Sequence, residues 1–151
     1  MNIQQITQLG YQIMAEHGLH GWTIVWDNAR NRGGQCRYSS RTISLSRLIV
    51  PTWEDAEIRN VLLHEIAHAL TPGHSHDAVW RRQLLSMGGD GRRTHNNATV
   101  PGRWLATCDH CGVEVGRRHR LTKGARYGLH SKCMKPVRWV DTGLQHAVSS
   151  R

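Results

Sequence analysis

Residues 52–80 read TWEDAEIRNVLLHEIAHALTPGHSHDAVW, and the pentapeptide His64-Glu65-Ile66-Ala67-His68 at their centre decides how the rest of the chain is read. Residues four apart on a helix stack on one face, so His64 and His68 can offer two imidazoles to one metal ion, with Glu65 one step round. The flanks support a helix. Thr52 with Asp55 offers a cap, and acidic Glu54, Asp55 and Glu57 suit the positive end of the helix dipole. Ile58, Leu62, Ile66 and Leu70 supply an i, i+4 apolar stripe, and Pro72-Gly73 ends the segment. With 11 His in 151 residues, composition alone produces such a pentapeptide about 0.03 times per chain, so the match points to chemistry.

Neutral imidazole binds Zn²⁺ and leaves an open coordination position. Zinc lowers the pKa of a bound water to about 7, so Glu65 in the role of general base can take its proton during attack on a carbonyl. Such a site needs a third protein ligand, and the turn Thr71-Pro72-Gly73-His74-Ser75-His76 offers two. His74 fits the spacing H-E-x-x-H-x-x-G-x-x-H, except that Thr71 stands where the pattern has Gly, and His76 sits just before the next helical segment. Spacing leaves both open.

Outward from this helix, Asn2 to His17 predicts an amphipathic helix with Asn2 and Gln5 as a capping box and Gly18 as its stop. Trp22, Ile24 and Trp26 alternate with Thr23 and Val25 as in a half-buried strand. Gln35–Ser39 and Thr42–Ser46 predict two further strands in a small antiparallel element, with Cys36 as a core residue. Asp77 to Met87 predicts a third helix with Trp80, Leu84 and Met87 on one side. Residues 1–88 thus form one expected domain and 89–102, rich in Gly, Asn and Arg, a linker.

Residues 103–140 differ in character. Cys108-Asp109-His110-Cys111 and His130-Ser131-Lys132-Cys133 are two matched x₂ pairs, the pattern of two knuckles around one structural zinc. Cys108, Cys111, His130 and Cys133 are the expected ligands, with His110 and His119 as alternatives to His130. The chain has 20 Lys+Arg against 11 Asp+Glu, and the surplus is uneven: residues 1–80 carry 6 basic and 7 acidic side chains, residues 81–151 carry 14 and 4. Arg117, Arg118, Arg120, Lys123 and Arg126 lie among Trp104, Tyr127 and Trp139, a mixture suited to phosphates and unpaired bases. The expected partner is single-stranded or distorted DNA, bound without sequence preference. No apolar run is long enough to span a bilayer and the start MNIQQITQLG lacks signal-peptide character. The expectation is a cytoplasmic or nucleoid-associated protein with no membrane partner and, from Thr142, a disordered tail within 141–151.

The run HEIAHALTPGHSHDAVWRRQL, with GGQCRYSSRTISLSRLIV upstream, resembles the SprT-like (Spartan-type) zinc metalloproteases. In that family a strand with an I-x-L-S-like end precedes the H-E-x-x-H helix, and the third zinc His is followed by Gly-Pro-x-aromatic. Aligned on Trp80, the resemblance implies His64, His68 and His76 as ligands of a catalytic zinc, His74 as the alternative third ligand, and Glu65 as general base. Asp77-Ala78 departs from Gly-Pro. It further implies an α+β, zincin-like domain followed by a basic zinc ribbon, and a peptidase whose substrates are DNA-associated proteins. Two other readings compete: a DNA-binding or regulatory zinc protein with a non-catalytic zincin-like domain, and a zinc peptidase cleaving one specific regulator.

Overall fold

The computed structural model describes residues 1–94 and 99–144, without the side chains of Arg126 and Tyr127. The chain forms two compact units, Met1–Val100 and Pro101–Arg151. Positions 95–98 of the expected linker and 145–151 of the expected tail lie outside the described residues. Asp141 and Thr142 belong to ordered structure: Asp141 ends a strand, and the Thr142 hydroxyl donates to the Arg103 carbonyl at 2.6 Å.

In the first unit, α1 (Ile3–Glu16) begins at the predicted capping box, with Gln5 N–H donating to Asn2 Oδ1 at 2.9 Å and Asn2 N–H to Gln5 Oε1 at 2.8 Å. Its Ile6, Ile13 and Met14 are buried. Three strands follow, β1 (Thr23–Asp27), β2 (Gly34–Arg37) and β3 (Thr42–Ser46), in the order β1-β3-β2. The predicted antiparallel pair is β2 with β3, whereas β1 runs parallel to β3. Local alternation identifies strands but carries no information about which neighbour each one meets, so the parallel pairing was invisible in the sequence.

The central helix α2 (Asp55–Leu70) has Glu54 as its N-cap and so starts two residues later than the Thr52 cap predicts. Val50–Thr52 forms a 3-10 turn instead, in which the Thr52 hydroxyl donates to the Ile49 carbonyl at 2.7 Å and is not available to α2. Glu54 and Glu57 make the capping box in its place. From Val61 to Ala67 every residue of α2 is buried, because α1, α3 (Ala78–Ser86) and β2 pack around it. A helix enclosed this way needs more than one apolar stripe, and Val61, Leu63 and Ala67 supply it. Burying each large aliphatic side chain contributes about 1.5–3 kcal/mol. A histidine and a glutamate inside this layer, His64 and Glu65, each 6% exposed, are therefore expensive and call for a function.

The second unit is a four-stranded antiparallel sheet in the order β5-β4-β7-β6, from β4 (Trp104–Cys108), β5 (Glu114–Arg118), β6 (Leu129–His130) and β7 (Lys135–Asp141). Its buried apolar residues, among those described, are Ala106, Cys108, Ala125 and Val137. Ordering each residue costs about 1–2 kcal/mol of backbone entropy, which so small a core does not offset by burial alone.

Candidate metal centres

Three elements build the first centre. One turn of α2 sets His64 and His68 on the same face, and the turn into α3 brings His76 over them. His76 Nε2 lies 3.1 Å from His64 Nε2 and 3.1 Å from His68 Nε2. Tetrahedral zinc with Zn–N bonds of about 2.0–2.1 Å spaces its ligand nitrogens about 3.3–3.4 Å apart, so the three rings nearly match a metal's first coordination sphere. Burial and the neighbouring His76 push the His68 ring down to about 4, keeping it in the neutral form that ligates. Trp80, 1% exposed, packs against all three rings with centroids 4.7, 5.1 and 4.6 Å from His64, His68 and His76.

His74 is not brought into this cluster. Its Nδ1 pairs with Asp77 Oδ2 at 2.7 Å, and Asp77 caps α3. The departure from Gly-Pro is thus accommodated: Asp at a helix N-cap is among the most favoured residues, and its Oδ1 accepts the N–H groups of Val79 and Trp80 at 3.0 Å each.

Glu65 faces β2, where its carboxylate meets the backbone N–H of Cys36. Burial pushes its carboxyl up to about 7, against the opposing effects of the Cys36 N–H and the Arg32 guanidinium. Gly34 and Glu65 approach closely enough that a β-carbon at Gly34 would stand 2.7 Å from Glu65 Cγ. Gly33 similarly leaves room for the Trp53 ring. The missing side chains at these glycines let β2 approach α2. Cys36 lines the resulting cleft rather than the core, and burial pushes its thiol up to about 12, which leaves it unreactive. The cleft, about 580 Å³, also includes Arg32, Tyr38, His64, Glu65, His68 and His76 in its walls. Arg32 and Tyr38 gave no signal as site residues. Arg32 is held by Asp27 at 2.5 Å and the Tyr38 hydroxyl donates to the His68 carbonyl at 2.5 Å, contacts that local patterns do not encode.

The second centre joins two knuckles. Cys108 ends β4 and Cys111 lies in the turn to β5; His130 ends β6 and Cys133 lies in the turn to β7. The four ligand atoms lie within 4.8 Å of one another, with Cys111 Sγ 3.5 Å from both His130 Nδ1 and Cys133 Sγ. Tetrahedral zinc with Zn–S of about 2.3 Å spaces such atoms about 3.6–3.8 Å apart. The backbone N–H of Cys111, and then that of His110, pull the Cys108 thiol down to about 6, while the bond with the Cys111 thiol pushes that of Cys133 up to about 11. His110 and His119 lie outside the cluster.

The basic residues of the second unit have different surroundings. Arg117 pairs with Glu114 at 2.9 Å, Arg118 lies over the Trp139 ring at 5.6 Å, and Arg120 and Lys123 are exposed. The Arg126 side chain lies outside the described residues. With the unit boundary at Val100, Arg81, Arg82, Arg92 and Arg93 belong to the first unit. That unit then carries 10 basic and 8 acidic residues and the second 10 and 3, so the split is +2 and +7. Arg81, Arg92 and Arg93 line a cavity of about 530 Å³ with His76 and Trp80.

The SprT-like family model matches residues 4–101, the whole of the unit that holds the three histidines apart from its first three residues. The chain belongs to the SprT-like family. A SprT-like protein of Lactiplantibacillus plantarum is 30% identical over 122 residues, which cover 75% of this chain and 81% of that one. This SprT-like chain also shares its fold with the metallopeptidase zymogen jannalysin of Methanocaldococcus jannaschii, at a TM-score of 0.50 and 15% identity over 54% of this chain and 79% of that one. The zymogen abylysin of Pyrococcus abyssi gives 0.46 and 18% over 52% and 75%. The expected α+β, zincin-like architecture is what the SprT-like unit adopts. Among the described residues no helix is long and apolar enough to cross a membrane.

Proposed function

We propose that the chain is a zinc endopeptidase in which His64, His68 and His76 hold a catalytic zinc and Glu65 is the general base. The observation that carries this reading is the meeting of three imidazole Nε2 atoms beside a buried carboxylate at one cleft. A purely structural zinc has no use for Glu65 there. Bound to these nitrogens, zinc would supply Lewis acidity toward water and the scissile carbonyl. Glu65 accepts the proton of the attacking water as the new C–O bond forms and delivers it to the amide nitrogen as the C–N bond breaks. Its carboxyl, pushed up to about 7 by burial, is poised for both transfers near neutral pH. Cys108, Cys111, His130 and Cys133 hold a second, structural zinc, which supports the fold of a unit with little apolar core.

The net charge of the second unit supports a tether to single-stranded or distorted DNA, and with it substrates that are DNA-associated proteins. Glu65→Gln is expected to retain two zinc ions per chain and lose cleavage of a DNA-bound protein; full activity in that variant overturns the mechanism. Single-stranded DNA is expected to raise cleavage of the same substrate and added salt to reduce it, and indifference to both overturns the tether while leaving the peptidase reading intact.

A further inference from the structure

The turn between α2 and α3 contains more structure than a loop carrying one ligand requires. His76 has φ of 55°, in the left-handed region that residues other than glycine seldom adopt. His74, two residues before that conformation, is tied to Asp77 just after it, Nδ1 to Oδ2 at 2.7 Å. The second oxygen of Asp77 is engaged by the N–H groups of Val79 and Trp80, which fixes the carboxylate to the first turn of α3. The His74 backbone is anchored as well: its N–H donates to the Thr71 carbonyl at 3.1 Å, and its own carbonyl accepts from the His68 ring. With His68 Nε2 facing His76, the nitrogen left for that bond is Nδ1, so His74 also favours the tautomer whose Nε2 is free to ligate.

We infer that His74 and Asp77 are positioning residues of the three-histidine centre: their ring-to-carboxylate bridge closes the turn around His76 and holds its Nε2 against His64 and His68. The inference rests on the reading that these three histidines bind zinc. Where the family pattern has Gly-Pro after the third histidine, this chain has Asp77-Ala78, and the bridge replaces the rigidity that the proline would supply. The side chains of His74 and Asp77 are 42% and 48% exposed, so the pair contributes little to global stability and its effect falls on local geometry.

The test measures metal affinity on the full chain. Cobalt(II) gives thiolate charge-transfer absorption only at the cysteine site, so the two sites titrate separately, and chelator competition then gives the zinc affinity of each. His74→Ala is expected to weaken the histidine site about tenfold to hundredfold, the scale seen when an outer partner of a ligand is removed. The cysteine site and the unfolding midpoint of the chelated protein should not move. His74→Gln, whose amide N–H can reach Asp77, is expected to restore most of the affinity. Wild-type affinity in His74→Ala overturns the inference, as does a His74→Gln protein as weak as His74→Ala. Loss as complete as in His76→Ala also overturns it, by making His74 a ligand. A wild-type chain that takes up metal only at the thiolate site overturns the three-histidine reading, and this inference with it.

Discussion

Gly34 and Glu65 occupy adjoining space so tightly that a β-carbon on Gly34 would stand 2.7 Å from both Cγ and Oε1 of the glutamate. The clash would be with a side chain that is 6% exposed and enclosed by packed neighbours, so it cannot swing aside freely. Gly34→Ala is expected to displace the carboxylate and lower kcat about a hundredfold or more, the scale of a lost general base, while zinc content stays at the wild-type value. Steady-state kinetics with metal analysis checks this, and an unchanged kcat would show that the carboxylate position is not limiting.

Trp80 packs on all three histidine rings and on the apolar core at once. Trp80→Ala should cost about 3–5 kcal/mol of stability in urea unfolding of the metal-free protein, as for other large-to-small aromatic truncations. It should also weaken zinc at the histidine site, because rings that lose their packing wall sample other rotamers. Trp80→Phe should recover part of both.

Asp27 sets an acid limit on the first unit. Burial raises its carboxyl, but bonds from the Ser44 hydroxyl, the Ala29 N–H and Arg32 outweigh that and leave it below its ordinary value of 3.8. A carboxyl with a depressed folded-state pKa contributes stability that is present above the unfolded value and lost as pH falls through the folded one. Wild type should therefore exceed Asp27→Asn in stability at neutral pH, and the gap should narrow only below about pH 4. Equal stabilities at pH 7 in paired denaturant titrations would remove Asp27 from the acid response.

Metal removal should separate the two units. The first has a core running from Ile6 through Leu62 to Trp80, whereas the described part of the second buries few and mostly small side chains. A strong chelator is expected to unfold the second unit while the first retains its helices. Limited proteolysis should then cleave first after Pro101, and Cys111→Ser should reproduce that pattern without chelator. Protection of the second unit in the chelated protein would show that its sheet folds without an ion.

The pentapeptide and both Cys/His pairs were legible because a ligand pair on one helical turn or one knuckle is a local matter. Spacing along the chain fixes it before any tertiary contact forms. Capping at Asn2, the three helices and the three strands of the first unit were legible for the same reason, since each depends on side chains within four or five residues. The start of α2 was misread where two local signals competed. Thr52 is a good cap, and a 3-10 turn at Pro51 took its hydroxyl first.

The choice between His74 and His76 had no local solution. Both sit within one short turn, and which ring reaches α2 depends on the left-handed backbone at His76 and on the carboxylate of Asp77, whose two oxygens are shared between His74 and the cap of α3. The parallel pairing of β1 with β3, the approach of β2 to Glu65 through Gly34, and the placing of Arg81, Arg92 and Arg93 beside His76 are likewise contacts between distant segments. By itself the sequence determined the candidate ligand types, their helical or knuckle spacing and the excess of positive charge. Tertiary structure decided which histidine completes the first cluster and what surrounds it, because those outcomes depend on packing between elements, and chain spacing carries no record of that.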